Sequence, residues 1–488
     1  MLVRAAKKLL RFALSDDGSV KTRVIRSGIW VSLGEMVVTV IAVVKSIFLA
    51  RLLTPDMFGL MGLCGMVIRI METFTRPGIG QALIQRRSSF EEARDTAFTL
   101  LFARGVLLAI SLATIAPLAA WFFESDELER MIQVMSILFI IGGLLNINTI
   151  ARQKELDFRR LSYLNQSSAL LGSIITIVAA ILLRNVWALV IGQLATTAVH
   201  TALSYYFVQG TPRVTIDWRI ARELLSYGKF ITASSAIIFV ASTFDTAVIG
   251  KILGIEQLGY YTLALTIANL VTASISKLVS GIMMPAYSSL QADHAALHRA
   301  YLRTLQLVLR VTLPATVGVL VTAASIIHVV YGEKWLNAVI PLQILVIFGL
   351  FRALASIDGY LFEGIGRPQI PLYVGLIRLA ILVPLIIPAT IYYGLLGAAA
   401  GVTLSMAVQW LGFMYFIKRD VGVSITQIIL IIADPLWKSA VMGSAVYGLS
   451  LIIDGMTTIG LLGMILSGIA VYASLNVRVI IQIRRHGL

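Results

Sequence analysis

The predicted fold depends on two similar stretches, KSIFLARLLTPDMFGL at residues 45–60 and DTAVIGKILGIEQLGY at residues 245–260. At an offset of 200 residues they align a cation, a leucine, an acid and a glycine: Arg51 with Lys251, Leu53 with Leu253, Asp56 with Glu256, and Gly59 with Gly259. A cation at the end of one helix and an acid at the start of the next both complement the helix dipole. Each stretch therefore predicts a tight turn between two helices, and the pair predicts an internal duplication.

Apolar segments extend outward from both stretches and fill most of the chain. Of its 488 residues, 58% are hydrophobic and 13% are charged, about half the charged share of an ordinary soluble protein. We exclude a soluble enzyme, a disordered chain and a coiled coil, because each needs more polar surface. The net charge of +15 lies in short clusters between apolar segments, which argues against nucleic-acid binding. Cys64 is the only cysteine, so neither an intramolecular disulfide nor a cysteine-based metal site is possible.

We predict an all-α polytopic membrane protein with about 14 transmembrane helices, because one span needs about 20 apolar residues. The predicted spans are residues 27–50, 57–84, 95–120, 129–150, 161–183, 186–209, 225–250, 257–287, 300–330, 336–362, 368–391, 394–417, 434–453 and 457–477. Six spans separate the two copies of the repeat, so both halves have the same orientation. This predicts two pseudo-symmetric six-helix lobes around a central cavity, at 27–210 and 211–420, and two further helices with a short tail at 421–488.

The distribution of lysine and arginine predicts the orientation. The side that holds the N-terminus, the even-numbered loops and the C-terminus carries 26 of them, Lys438 included, and the opposite side carries 5. The positive-inside rule therefore places both termini in the cytoplasm. Residues 1–26 contain basic residues at i, i+3, i+4 and i+7 spacing: Arg4, Lys7, Lys8 and Arg11. We interpret this segment as an amphipathic helix on the cytoplasmic leaflet.

Charges inside the spans are the candidates for function. Nine cations lie in or beside the spans: Lys45, Arg69, Arg76, Arg104, Lys229, Lys277, Arg310, Arg352 and Arg378. Four acids lie in the spans: Glu35, Glu72, Asp245 and Asp358. A charge that faces lipid costs from a few to more than ten kcal/mol, so most of these groups should face a wet interior or a partner. The cation excess predicts an anion site, and arginine suits phosphate because its guanidinium binds through two parallel hydrogen bonds.

The clearest group lies on the second span, where Arg69, Glu72 and Arg76 have i, i+3, i+7 spacing and share one helix face. Two arginines for one glutamate leave one guanidinium for an anion, although a salt bridge that only packs two helix bundles is the alternative. The acids could carry coupling protons or Na⁺, or could balance the cations. Because no Walker A, His-Glu-x-x-His or Gly-x-Ser-x-Gly sequence occurs, we predict no catalytic residue, no metal site and no cofactor.

Four stretches resemble one family: ARLLTPDMFGL at 50–60, PGIGQALIQR at 77–86, YGEKW at 331–335 with PLQ at 341–343, and GLFR at 349–352 through GRP at 366–368. They resemble the bacterial polysaccharide transporters, which are lipid-linked oligosaccharide flippases of the multidrug/oligosaccharidyl-lipid/polysaccharide exporter superfamily. Because the stretches lie in both halves, the resemblance extends over nearly the whole chain.

The resemblance implies a V-shaped flippase rather than an enzyme. It would move an undecaprenyl-diphosphate-linked oligosaccharide, an exopolysaccharide or O-antigen repeat unit, across the bacterial cytoplasmic membrane by alternating access. The cationic cavity of the family corresponds by position to Arg69, Arg76 and Arg352. Together with the other intramembrane cations this gives eight expected diphosphate contacts: Arg69, Arg76, Arg104, Arg310, Arg352, Arg378, Lys45 and Lys277. The implied partners are the lipid-linked oligosaccharide, membrane lipids and other polysaccharide assembly proteins.

Two other functions stay open at this point. An ion-coupled antiporter of drugs or small molecules on the same scaffold requires an acid-dominated cavity, against which the cation excess argues. A membrane subunit of a polysaccharide assembly complex would have no transport activity of its own.

Overall fold

A computed structural model describes the backbone of residues 20–74, 78–85, 89–155, 157–453 and 455–477. It describes their side chains except at residues 20–29, 226–242 and 271–282 and at positions 32, 74, 81, 85 and 285. Several predictions therefore lie outside the described residues: the segment before residue 20, Arg76, and the side chains of Lys229 and Lys277.

The described chain is helical throughout and contains no β-strand, which confirms the predicted all-α class. The helices of its first part are α1 Val20–Leu52, α2 Pro55–Phe74, α3 Ile79–Gln85, α4 Phe90–Phe123, α5 Asp126–Met135, α6 Ile137–Gly143, α7 Asn148–Lys154, α8 Phe158–Leu183 and α9 Trp187–Phe207. The helices of its second part are α10 Trp218–Ile252, α11 Ile255–Leu290, α12 His294–Ile326, α13 Val339–Gly364, α14 Gln369–Val421, α15 Ile425–Ser450 and α16 Thr458–Leu475. A π-helical turn and a short 3₁₀ helix join α12 to α13.

Each predicted span overlaps at least one of these helices. Judged by length and apolar composition, eight helical segments in the described ranges are able to cross a membrane, and the number is nine if the bent pair Asp126–Gly143 and Asn148–Lys154 is one span. The count of fourteen stays a prediction.

Helix α14 shows how one continuous helical stretch provides two of the predicted spans. Its 53 residues would extend about 80 Å, well beyond the roughly 30 Å of a bilayer core. The stretch breaks at Gly394, whose φ of 58° and ψ of −140° are readily available only to glycine. The break coincides with the predicted boundary between the spans at 368–391 and 394–417.

The start of α15 corrects one boundary. Ser424 caps the helix by accepting a hydrogen bond from the Gln427 backbone N–H, and the Gln427 side chain accepts from the Ser424 N–H in return. This capping box begins the helix at Ile425, nine residues before the span predicted at 434–453. Lys438, which the sequence count placed in a cytoplasmic loop, therefore lies within a helix and is only 7% exposed.

The chain forms two compact units. The first unit comprises the chain up to Leu53 and Leu60–Phe239, and the second comprises Thr54–Gly59 and Val240–Leu488. Two helices therefore belong to both units: α2 begins in the second unit, and α10 begins in the first. The predicted lobe boundary at residues 210 and 211 lies in the linker before α10, whereas the division between the compact units lies inside that helix.

The linker between α9 and α10 is attached to the first unit. Backbone N–H groups of Arg213, Thr215 and Asp217 donate to side chains of α4, respectively Asp95 at 3.2 Å, Thr99 at 3.0 Å and Thr96 at 3.0 Å. Beyond this linker, the first turns of α10 are buried in a core of the same unit. The hydrogen bonds explain why α10 begins as part of the first unit.

The two copies of the sequence repeat contact each other within the second unit. A Cβ added at Gly59 would collide with the backbone carbonyl of Ile255, and a Cβ added at Gly259 would collide with the carbonyl of Pro55. Because Ile255 is the repeat equivalent of Pro55, the two contacts are reciprocal. The first turns of α2 and α11 therefore pack backbone against backbone, which only glycine at these positions permits. This contact has the symmetry that an internal duplication predicts.

Candidate functional site

The intramembrane charges of the first unit lie on α1, α2 and α4. Arg69 and Glu72 are exposed on α2, one helical turn apart. Arg104 of α4 donates from Nη2 to the backbone carbonyl of Glu72 at 3.1 Å, so the structure brings Arg104 against the turn that carries Glu72. Lys45 and Glu35 are half-buried on α1. In the first unit, the hydrogen bond from Arg104 to Glu72 thus joins two helices that carry predicted site residues, α2 and α4.

Asp245 of the second unit is buried, and neutral groups donate to both of its carboxylate oxygens. The Tyr261 hydroxyl of α11 donates to Oδ2 at 2.5 Å, and the backbone N–H of Thr246 donates to Oδ1 at 2.8 Å. The side chain is 6% exposed. Because each oxygen accepts a hydrogen bond from a neutral donor, Asp245 is held in place without a cationic partner in direct contact among the described residues.

Arg378 of α14 is a buried cation of the same unit and is 9% exposed. Its guanidinium interacts electrostatically with Asp245, Tyr261 and Arg352. The guanidinium carbon, Cζ, lies 5.9 Å from the ring centroid of Phe348. Among the described residues, Arg378 has no ion pair within 4 Å, and its buried Nε has no hydrogen-bond partner. A buried guanidinium in this state has hydrogen-bond donors available for a ligand.

Arg352 of α13 supplies the second cation. Its Nη1 donates to Oδ1 of Asn269 on α11 at 2.7 Å, so a neutral amide fixes the side chain and leaves its charge uncompensated by that contact. We define the Arg352–Arg378 cluster by five residues of four helices: Arg352, Arg378, Asn269, Asp245 and Tyr261.

The Arg352–Arg378 cluster has the composition of an anion site. It contains two guanidinium groups and one carboxylate, and the hydrogen bonds of that carboxylate go to tyrosine and backbone donors. An uncompensated cation inside apolar helices is costly, and an arginine loses its proton too reluctantly to escape this cost. A bound phosphate would compensate the excess charge and accept hydrogen bonds from both guanidinium groups.

Asp358 belongs to a different place in the second unit. Its side chain is fully buried, and Oδ1 accepts a hydrogen bond from the Tyr301 hydroxyl of α12 at 2.9 Å. Within the described chain its Oδ2 has no hydrogen-bond partner. The groups that interact with it are tyrosines, Tyr301 and Tyr287, and not the cations of the Arg352–Arg378 cluster.

Arg310 was predicted to contact the diphosphate, but the structure places it in a second polar group. Its Nη2 lies 3.9 Å from Oδ2 of Asp434, whose Oδ1 lies 2.7 Å from the Lys438 ammonium. Lys438 also donates to Asn476 at 3.2 Å, and the Tyr472 hydroxyl donates to the Arg310 backbone carbonyl at 3.0 Å. These contacts, which we call the Arg310–Lys438 network, join α12 to α15 and α16. Lys438 is not among the site residues predicted from the sequence, although the i, i+4 spacing of Asp434 and Lys438 is typical of an intrahelical ion pair.

Of the eight predicted diphosphate contacts, the structure therefore brings together Arg352 and Arg378. Arg69 and Arg104 lie on neighbouring helices of the first unit, and Arg310 lies in the network with α15 and α16. Tyr261, Asn269 and Phe348 were not predicted, because an uncharged side chain in a long apolar helix has no sequence signal that distinguishes it. In the part of the chain that the structure describes, no three His, Cys, Asp or Glu side chains are grouped so that they could hold a metal ion.

Comparison with known proteins agrees with these observations. The sequence pattern of the family described as "Polysaccharide biosynthesis protein" matches residues 48–340. The chain is 25% identical over 441 residues to the lipopolysaccharide biosynthesis protein WzxC of Escherichia coli (strain K12), covering 90% of this chain and 89% of WzxC. It is 27% identical over 439 residues to the teichuronic acid biosynthesis protein TuaB of Bacillus subtilis (strain 168), covering 88% of this chain and 90% of TuaB.

Solved structures show the same fold. The lipid II flippase MurJ in an inward closed conformation superposes with a TM-score of 0.75 and 16% identity, over 93% of this chain and 98% of MurJ. An inward-facing multidrug resistance transporter of the MATE family superposes with a TM-score of 0.65 and 18% identity, over 79% of this chain and 95% of that one. These findings confirm the resemblance seen in the sequence: the chain belongs to the polysaccharide biosynthesis protein family.

Proposed function

We propose that the protein is a flippase that moves a polyprenyl-diphosphate-linked oligosaccharide across the bacterial cytoplasmic membrane, with both termini in the cytoplasm. The observation that carries this proposal is the guanidinium of Arg378. It is nine-tenths buried, has no ion pair or Nε hydrogen bond in the described chain, and lies beside a second arginine, Arg352. Membership of the family and the MurJ-like fold support the same function.

The Arg352–Arg378 cluster suits the diphosphate of such a lipid. The two guanidinium groups bind phosphate oxygens, and apolar surroundings strengthen each charge-assisted hydrogen bond. The diphosphate is the one part of the substrate that every repeat unit shares, so a site that binds it can accept different sugars.

The driving force need not come from a coupled ion. Each negative charge that moves outward across an inside-negative membrane gains about 2.3 kcal/mol per 100 mV. A diphosphate carries more than one charge, so the potential alone can favour export. Asp245 and Asp358 are available as proton or ion sites, but transport does not require that role of them.

The alternatives make different demands on the site. A cation antiporter needs a free carboxylate to bind its substrate, whereas the oxygens of Asp245 accept from Tyr261 and Thr246, and Arg378 interacts electrostatically with this carboxylate. A non-transporting assembly subunit needs no anion site within its helices. The Arg352–Arg378 cluster favours the flippase over both.

Reconstitution into liposomes tests the proposal. We expect leaflet exchange of a fluorescent polyprenyl-diphosphate glycan, and no exchange of the same glycan attached to an uncharged polyprenyl ether. Arg378→Gln should lower the exchange rate at least tenfold, the factor expected when one charge-assisted hydrogen bond is lost. The matched control is Arg419→Gln, because Arg419 is exposed at the end of α14 and pairs with Asp420.

Two results would contradict the proposal. Equal exchange of the charged and uncharged lipids would show that the protein does not recognise the diphosphate. Transport of a drug cation with no lipid exchange would identify the protein as an antiporter.

A further inference from the structure

We propose that Tyr261 and Thr246 restrain the Asp245 carboxylate, so that the Arg378 guanidinium stays available to a phosphate group. The inference rests on the proposed function and adds to it residues that set the affinity of the phosphate site. Tyr261 acts in this proposal as a positioning residue, since its hydroxyl donates to Asp245 and its effect on Arg378 passes through that carboxylate.

Asp245 lies close to a cation with which it does not pair. The two side chains interact electrostatically, yet no Asp245 oxygen lies within 4 Å of an Arg378 nitrogen in the described structure. A buried carboxylate near a buried guanidinium with vacant N–H groups gains strongly from direct pairing, because the apolar surroundings screen little. A restraint on the Asp245 side chain would account for the absence of this ion pair.

The hydrogen bonds around Asp245 supply this restraint. Tyr261 donates to Oδ2, while Thr246 donates to Oδ1 from its backbone N–H at 2.8 Å and from its hydroxyl at 3.5 Å. Tyr261 is fully buried and lies on α11, so packing fixes its hydroxyl relative to α10. Among the described side chains of other helices, those of Tyr261 and Arg378 interact with the carboxylate.

The restraint explains how a site with an internal carboxylate can bind an anion. If Oδ2 were released, Asp245 would turn toward Arg378 and form a closed ion pair. That ion pair would occupy the guanidinium donors and repel a phosphate. Removing the tyrosine hydroxyl should therefore weaken phosphate binding, and removing the carboxylate charge as well should restore it. A hydrogen bond that only stabilises the α10–α11 pair predicts no such rescue.

Binding of a fluorescent polyprenyl diphosphate to the full chain in lipid nanodiscs tests the inference. We expect Tyr261→Phe to raise the Kd about tenfold, because a new charge-assisted pair competes with the ligand. The double variant Tyr261→Phe/Asp245→Asn should return the Kd to within about twofold of wild type. Asp245→Asn alone should bind at least as tightly as wild type. The matched control is Tyr260→Phe, which removes the neighbouring hydroxyl that donates to Glu256 and should leave the Kd unchanged.

The outcomes separate this inference from the proposed function. An unchanged Kd in Tyr261→Phe, a double variant as weak as Tyr261→Phe, or weakened binding in Asp245→Asn would each overturn the restraint. If Arg378→Gln bound the probe as tightly as wild type, the phosphate site itself would be wrong. Thermal unfolding of every variant shows whether a weaker Kd reflects an unfolded protein, and weakened binding in Asp245→Asn would overturn the restraint even if Tyr261→Phe fails to fold.

Discussion

The Arg352–Arg378 cluster and the Arg310–Lys438 network lie in the same unit and contain the same charges, two cations and one carboxylate. In the network the carboxylate bridges the cations, because Asp434 lies 2.7 Å from Lys438 and 3.9 Å from Arg310. In the cluster the carboxylate of Asp245 instead accepts hydrogen bonds from Tyr261 and Thr246.

The number of charged residues in apolar helices therefore does not reveal the role of those residues. The role depends on which groups donate hydrogen bonds to the carboxylate oxygens. The Arg310–Lys438 network pairs both of its cations with Asp434, although the Arg310 Nε has no hydrogen-bond partner in the described chain, and joins the helices outside the repeat, α15 and α16, to α12. In the Arg352–Arg378 cluster the buried Arg378 guanidinium has no ion pair among the described residues, so the cluster has a vacancy for an anion.

Neutralising the carboxylate of the network and that of the cluster in separate variants should give the largest difference, which is one in the free energy of unfolding. Asp434→Asn leaves Lys438 buried without its ionic partner, so we expect the free energy of unfolding to fall by about 3 kcal/mol, near the lower end for a broken buried pair because Asp434 is 37% exposed. Asp245→Asn should cost less than about 1 kcal/mol, since an amide oxygen still accepts from Tyr261. Denaturant unfolding in detergent measures both, and equal losses would contradict the comparison.

Adding a carboxylate to the cluster should create a direct ion pair, as in the network. Asn269→Asp would place a charged acceptor on Arg352, where the amide oxygen now lies 2.7 Å from Nη1. We expect the internal ion pair to lower leaflet exchange of the polyprenyl-diphosphate glycan about tenfold. The matched control is Asn476→Asp, the same substitution beside Lys438. Similar losses of exchange in both variants would show that the added charge acts through general destabilisation.

Removing the aromatic neighbours should have the smallest effect. Phe348→Leu removes the ring that faces Arg378 at 5.9 Å, and we expect exchange to fall about threefold, in line with a cation–π contact at a partly desolvated site. Trp437→Leu removes the ring that lies 5.8 Å from the Lys438 ammonium. Exchange measured for Trp437→Leu should match wild type, and a larger loss there than in Phe348→Leu would reverse the assignment of the two groups.

The sequence was sufficient for the all-α class and for the repeat. Apolar segments of about 20 residues predict helices strongly, and the break at Gly394 lies where two spans were separated. The repeat was visible because glycine, acid and cation recur at one offset, and its glycines, Gly59 and Gly259, make the reciprocal backbone contacts. Arg352 and Arg378 were predicted because a charge in an apolar helix is conspicuous.

The partners of those arginines could not be predicted. Whether a side chain faces lipid, a neighbouring helix or another charge depends on the rotation of each helix about its axis, and long, uniformly apolar helices leave that rotation unspecified. Tyr261 and Asn269 are for this reason indistinguishable from other polar residues in the sequence. The contact of Arg310 with Asp434 could not be predicted for the same reason, because the predicted span begins at residue 434, whereas α15 begins at Ile425.

The most direct test of the central claim compares two arginines of the second unit. The Kd for a fluorescent polyprenyl diphosphate in nanodiscs should rise at least tenfold in Arg378→Gln, because that guanidinium donates to the ligand. In Arg310→Gln the Kd should stay within about twofold of wild type, because Arg310 already has an ionic partner in Asp434, 3.9 Å from its Nη2. A Kd that rises equally in both variants, or only in Arg310→Gln, would contradict the account.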